Sequence, residues 1–336
     1  MATVEAPAKT RTVTIRDAIN AALADAMADD AKVLVFGEDV ADPEEGGVVG
    51  VTAGLSTRFG DERVRSTPIT EQAIIGAAIG VSLRGYKPVA EIMLMNFTTV
   101  AMDMIVNHAA KLRFMSGGQT NVPIVIRTMT GAGFASGGQH SDYLEAWFAH
   151  TAGMKVVCPA SVEDAYGLIR SAIDDPDPVL VIENLLSYTL KGQLPEPGTR
   201  VPIGKGRIVR EGTDVTIITY ARMVQESLKA ADALAKDGIS AEVIDLRTVQ
   251  PWDRQLVLES VSRTGSALIV HEAVKQFGAG GEIASVIQEE LFGKLKGPVR
   301  RIGAAFCPVP FSNPLETAFM PQATEIAATV KEMVAR

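Results

Sequence analysis

Cysteine is scarce. Among 336 residues there are two, Cys158 and Cys307, far apart and with no C-x-x-C spacing, which excludes a disulfide framework and a structural zinc site. No run of 18 or more apolar residues occurs, so nothing reads as a membrane span; stretches such as Val33–Phe36 and Ala267–Val270 are strand-sized. A basic excess is lacking as well. The 32 Lys and Arg against 40 Asp and Glu leave a net charge of −8, the wrong sign for a surface that binds nucleic acid. The opening residues, MATVEAPAKTRTVT, hold no apolar stretch of the kind a secretory signal needs. Together these absences predict a protein of a reducing compartment, the bacterial cytoplasm or its organellar counterpart, with neither membrane nor nucleic acid as partner.

What is present is ordinary globular composition: 47% hydrophobic, 21% charged, 30 Gly and 17 Pro. The length predicts two domains. Residues 1–10 read as a loose lead-in. Thr14–Ala31 has helical spacing, with Thr14 suited to cap it and Asp17 suited to its dipole. VLVFGED then reads as a strand that delivers carboxylates at its C-terminal end. The order repeats: strand VRS and helix TEQAIIGAAIG, strand KPVAEIMLM and helix Thr98–Leu112, strands VPIVIRTM, MKVVCP and PVLVIEN, with helix Val162–Ile173 between the last two. Continuous β-branched runs alternating with helices predict a parallel doubly wound sheet through about residue 188. Proline and glycine crowd the segment after it, and residues 189–203 are expected to be a linker. A second α/β unit is expected over 204–336: strand DVTIITY, helix Val224–Lys236, strand AEVIDLR, helix Asp253–Ser262, strand ALIVHEA, helix Glu282–Phe292, strand VRRIGA and terminal helix Thr324–Val334.

Two glycine clusters could cradle a phosphate. Gly131-Ala-Gly133-Phe-Ala-Ser-Gly137-Gly138 follows a strand and Gly278-Ala-Gly280-Gly281 precedes a helix. The first has G-x-G-x-x-x-G rather than dinucleotide spacing, and no acidic residue closes the following strand, so a nicotinamide site is disfavoured. The other reading is that the glycines admit a close neighbour, whether ligand or chain. His108 and His150 read as packing residues. His140, directly after the glycine loop, stands where an imidazole can move a proton near neutral pH. His271 ends a strand of the second unit. The neighbours His140, Ser141 and Asp142 cannot form a triad, because no G-x-S-x-G elbow presents the serine. Glu71 opens an apolar helix: either Thr70 caps that helix and Glu71 complements its dipole, or Glu71 exchanges a proton with a ring nitrogen. Position alone leaves both open.

A resemblance goes further. TPITEQAIIGAAIG, EIMLMNF, NHAAKLRFMSGG, VPIVIRT, GGQHSDYLEAWFAH and GMKVVCPAS, followed by VPIGKGRIVREGTDVTIITY, EVIDLRTVQPWD, HEAVKQFGAGGEI and PVPFSNPLE…MPQATEI, closely resemble in order the β subunits of thiamine-diphosphate-dependent 2-oxo acid dehydrogenases. The resemblance runs from about Thr12 to the C-terminus. It implies a thiamine-diphosphate pyrimidine-binding α/β domain (1–188), then a transketolase-like C-terminal α/β domain, and an α2β2 heterotetramer with cofactor at the α/β interfaces. Diphosphate and magnesium would be held by the α subunit through a GDG motif that this sequence lacks. By position, Glu71 matches the glutamate that bonds the aminopyrimidine and favours its imino tautomer, Phe97 the aromatic stacked on that ring, and Ile69 and Glu38 its neighbours. His140 matches the histidine that assists acyl transfer to lipoyl-lysine. A potassium site is implied at the backbone oxygens of Ile124, Ala172 and Ile173 with Asp175 and Asp177, the last an aspartate where the family commonly has asparagine.

The implied reaction is oxidative decarboxylation of a 2-oxo acid, pyruvate or branched-chain, with acyl transfer to the lipoyl group of a dihydrolipoyl acyltransferase. The alternative substrate is acetoin. A chain kept only as a docking partner would be expected to have lost Glu71, Phe97 or His140, and all three stand. A one-chain transketolase-like synthase would need a GDG motif and greater length. Asp142 and Tyr143 depart from the family's usual QHSQ, placing an acid near the expected lipoyl entrance.

Overall fold

The structure is a computed structural model that describes residues 11–335; the lead-in at 1–10 lies outside the described residues. The β-branched runs make two sheets. The first has seven strands in the order Thr248–Gln250, Lys155–Val157, Val179–Asn184, Val125–Thr130, Lys87–Leu94, Val33–Gly37, Val64–Ser66. All neighbours pair in parallel except the first two, which are antiparallel. The second has five strands in the order Arg300–Ala304, Ala267–Val274, Val215–Thr219, Ala241–Asp245, Arg207–Arg210, with only the last pair antiparallel. Strands Val125–Thr130 and Val179–Asn184 are buried along their whole length, as strands covered on both faces must be.

The helices expected from spacing form with small shifts at their ends. Ile15–Asp29 is closed by a reciprocal cap: Thr14 Oγ1 accepts from the Asp17 amide at 3.1 Å and Asp17 Oδ2 from the Thr14 amide at 3.3 Å. It packs on helix Val162–Asp174. The expected single helix Thr98–Leu112 is instead three short pieces, a 3₁₀ turn Met95–Thr99, a π-helical turn Met104–Ala109 and a single turn Leu112–Met115. Side chains explain the first break: the hydroxyls of Thr98 and Thr99 bond back to the carbonyls of Met95 and Asn96 at 2.6 and 2.7 Å, competing with a regular helix start. In the segment after Tyr188, Lys191–Gln193 pairs antiparallel with Thr12–Thr14.

The two halves interlock. Strand Thr248–Gln250, from the second half, edges the first sheet. Beside it Arg247 meets the fully buried Asp164 of helix Val162–Asp174 at 2.7 Å, and Arg207 reaches the same carboxylate at 3.3 Å. An unpaired charge in that position would cost several kcal/mol, so these contacts fix how the halves dock.

Candidate functional site at the carboxyl ends of the first sheet

In open parallel sheets, ligands bind in the crevice beyond the strands' carboxyl ends, and the expected site residues gather there. Glu38 follows strand Val33–Gly37, Asn96 and Phe97 follow Lys87–Leu94, and His140 lies in the loop after Val125–Thr130. Glu71 opens helix Glu71–Ser82 just beyond Val64–Ser66. Gly37 is needed where it stands, since a Cβ there would lie 2.6 Å from the Glu91 carbonyl oxygen; that close approach turns Glu38 inward. Thr70 makes no cap bond and donates instead to the Pro68 carbonyl at 3.2 Å, so the helix-cap reading of this segment does not hold.

Glu38 and Glu71 are both buried. Burial, then the negative charges of Glu71, Asp39 and Glu91, push the Glu38 carboxyl above its ordinary pKa. Its Oε1 is buried without any hydrogen-bond partner, which calls for a ligand or an ordered water to complete the bond. Ile69 is 80% exposed, an apolar side chain awaiting cover. The ring of Phe97 meets that of His140 edge-on, centroids 5.6 Å apart at 75°. Glu38, Ile69, Glu71 and Phe97 thus offer a carboxylate pair, a half-buried aromatic and an exposed aliphatic side chain, groups whose chemistry fits a flat aminated ring.

His140 is exposed, but its loop is pinned from the sheet side. Asn96 Nδ2 donates to the Gly138 carbonyl and to Asp142 Oδ2, both at 2.9 Å, and Asn96 Oδ1 accepts from the Asp142 amide at 3.2 Å. Asp142 is therefore tied to Asn96 rather than free at an entrance, and burial raises its pKa despite that bond. Beyond it a cavity of ≈ 860 Å³ runs between Trp147, His150, Phe277, Phe306 and Cys307.

Sequence reasoning missed the polar support beneath the site. Arg127 donates to Glu91 at 2.6 Å and to both oxygens of Glu183 at 2.7 and 2.8 Å, and Tyr188 adds a bond to Glu183 at 2.5 Å. Glu91 and Arg127 face each other across neighbouring parallel strands. The legible signal was charge inside otherwise apolar runs, EIMLM, VIRTM and VIEN, where only a buried pair could account for it.

Of the expected potassium ligands, the Ile124 carbonyl accepts from the Val179 amide at 3.0 Å and the Ala172 carbonyl from the Asp175 amide at 3.3 Å; Ile173 lies in the last turn of helix Val162–Asp174, just before Asp175 and Asp177. Their carboxylates already face cations of the chain. Lys155 Nζ donates to both oxygens of Asp175 at 2.6 and 2.7 Å, and Arg113 binds Asp177 at 2.6 Å. In this arrangement both carboxylates are balanced by cations of the chain, and a further cation would compete with Lys155 and Arg113. Among the described residues no group of three or more His, Cys, Asp or Glu could hold a metal ion, and no helix is long and apolar enough to cross a membrane.

Comparisons with known proteins agree on one architecture. The family "Transketolase, pyrimidine binding domain" matches residues 11–190, and "Transketolase, C-terminal domain" matches residues 204–326. The acetoin:2,6-dichlorophenolindophenol oxidoreductase subunit beta of Cupriavidus necator is 44% identical over 330 residues, spanning 96% of this chain and 97% of its own. The mitochondrial pyruvate dehydrogenase E1 component subunit beta-1 of Arabidopsis thaliana is 44% identical over 323 residues, 95% of this chain and 88% of its own. A solved structure described as a split gene transketolase, inactive beta4 tetramer, superposes with a TM-score of 0.79 at 24% identity, over 96% of this chain and 98% of that one, which shows a shared fold.

Proposed function

Since the chain belongs to the family of thiamine-diphosphate-dependent β subunits that includes those of pyruvate and acetoin dehydrogenases, we propose that it is the β half of an enzyme that decarboxylates a 2-oxo acid and passes the acyl group to a lipoyl-lysine. In this reading residues 1–188 hold the pyrimidine ring, residues 204–336 form the second domain, and 189–203 join them. The partners are an α subunit in an α2β2 heterotetramer, which carries diphosphate and magnesium, and a dihydrolipoyl acyltransferase core.

The observation that carries the reading is the buried, unpartnered Oε1 of Glu38 beside the buried Glu71, at the carboxyl ends of the first sheet. Thiamine diphosphate, when bound, supplies the electron sink for breaking the bond next to the carbonyl. Glu71 would hold or release a proton at the ring nitrogen, with Glu38 beside the same ring. Phe97 and Ile69 orient the ring and exclude water. His140 delivers the proton that one lipoyl sulfur takes when the disulfide accepts two electrons and the other sulfur takes the acyl group. Acetoin is the second substrate reading, favoured by the Cupriavidus necator relative.

The test is turnover of pyruvate, branched 2-oxo acids and acetoin by the chain mixed with its α subunit, with Glu71→Gln as the control. One substrate class is expected to react, and Glu71→Gln to lower turnover about 100-fold or more with the heterotetramer intact. Normal turnover in that variant would remove Glu71 from the chemistry.

A further inference from the structure

The glycine loop Gly131–Gly138 matches no nucleotide-binding spacing, yet it does bind an anion, and the anion belongs to the chain. Every second residue takes positive φ: Gly131 at 121°, Gly133 at 118°, Ala135 at 54° and Gly137 at 72°. Alternation of this kind turns successive amides to one side, making a concavity for negative charge. Glu316, 2% exposed and lying in helix Asn313–Phe319, fills it. Its Oε1 accepts from the Gly133 amide at 2.6 Å and its Oε2 from the Ala135 amide at 2.9 Å. Next to it Glu272, buried near the end of strand Ala267–Val274, accepts from the Ala132 amide and from Asn184 Nδ2, both at 2.9 Å. The same C-terminal segment closes on the loop's far end: a Cβ on Gly137 would run into the Phe311 ring, and one on Gly138 would come within 3.1 Å of the Pro308 Cβ.

The loop is therefore gripped on two sides, by Asn96 from the first sheet and by Glu272, Glu316 and Phe311 from the second half. His140 stands immediately beyond the grip, its own amide bonded to the Gly137 carbonyl at 3.2 Å. We propose that Glu316 is a positioning residue for His140: by occupying the amide concavity of the 131–138 loop, it sets where the imidazole meets the lipoyl acceptor. The proposal rests on the role given to His140 above. Glu316 touches neither cofactor nor acceptor and acts only through the loop. A carboxylate suits the task because it offers two acceptors to two amides, whereas a carboxamide would turn an N–H toward one of them.

The test uses the reconstituted heterotetramer with Glu316→Gln and, because it disturbs packing differently, Phe311→Leu. Two reactions are followed on the same preparation: reduction of a dye acceptor, which does not need the lipoyl encounter, and acylation of a purified lipoyl domain. His140→Ala supplies the reference for a lost lipoyl step. Glu316→Gln is expected to lower kcat/KM for the lipoyl domain about 10-fold or more, since a displacement of about an ångström is enough for such a loss, while dye reduction stays within about twofold. Amide hydrogen exchange at residues 132–137 is expected to speed up in the same variant, a readout that needs no activity. Phe311→Leu is expected to give the same split in smaller measure.

Equal loss in both reactions would mean a merely structural residue and would overturn the proposal. So would faster exchange in the loop with lipoyl acylation unchanged. If His140→Ala left lipoyl acylation intact, or if the wild-type mixture turned over none of the substrates, the underlying reading would fall, and the positioning role with it.

Discussion

At the residue scale several buried groups sit where their surroundings oppose their charge. Glu145, in the short helix Glu145–Ala149, is the sharpest case. It is fully buried, and burial pushes its pKa up to about 7, although the Tyr220 hydroxyl donates to it at 2.7 Å. Tyr220 in turn stacks on the buried His271, ring centroids 6.4 Å apart, whose pKa burial lowers to about 4. Between the ordinary carboxyl value and about 7 the folded chain keeps a proton on Glu145 that the unfolded chain has released. Glu145 therefore makes stability fall as pH rises through that window and adds no slope above it. His271 acts in the opposite sense below its ordinary value, because there the unfolded chain binds the extra proton. Glu145→Gln keeps an acceptor for Tyr220 and removes the ionisation. Its Tm relative to the natural chain is expected to climb from pH 4.5 to pH 7.5, by the equivalent of up to about 3 kcal/mol; a flat difference across that range would show that Glu145 is charged in the fold.

Individual site residues were legible to unequal degrees. Glu38 and His140 stand just beyond β-branched runs, where parallel sheets present ligand groups, so position and type drew notice to them; for Glu71 position left two readings open, and Phe97 was named only through the family resemblance. Glu272 and Glu316 left no such mark. Their amide partners lie 140 to 183 residues away, and contacts of that range impose no periodicity on either segment. The glycine loop was noticed for the right reason, its capacity to surround an anion, but nothing local said that a glutamate from the far end of the chain would be that anion.

At the scale of elements, strands were read better than their connections. VLVFG, VIRTMT and VLVIEN announce themselves because burial on both faces demands continuous apolar, β-branched residues. Thr98–Leu112 misled because its apolar spacing is helical while the threonine hydroxyls and a π turn break the hydrogen-bond ladder. Strand Thr248–Gln250 is three residues long and pairs with Lys155–Val157, a partner no local pattern could indicate. The connection after helix Val162–Asp174 carries its own prediction. With Asp175 and Asp177 already paired to Lys155 and Arg113, exchanging potassium for tetramethylammonium is expected to leave Tm unchanged to within about 1 °C, a shift that corresponds to about 0.7 kcal/mol at most. A potassium-dependent rise of several degrees would show that the ion displaces the lysine and binds as the family resemblance implied.

At the scale of the whole molecule, the surface is that of a subunit. Ile69, Phe114 and Phe277 are 80%, 90% and 95% exposed, and large apolar side chains left so open mark faces awaiting a partner. The amides of the Gly131–Gly138 loop, which could have met a diphosphate, are taken by Glu316. On this account the chain and an α subunit share one thiamine diphosphate. Isothermal titration of thiamine diphosphate with magnesium, into the chain alone and into the chain mixed with its α subunit, tests it directly. Saturable heat is expected only in the mixture; tight binding by this chain alone would contradict the shared site.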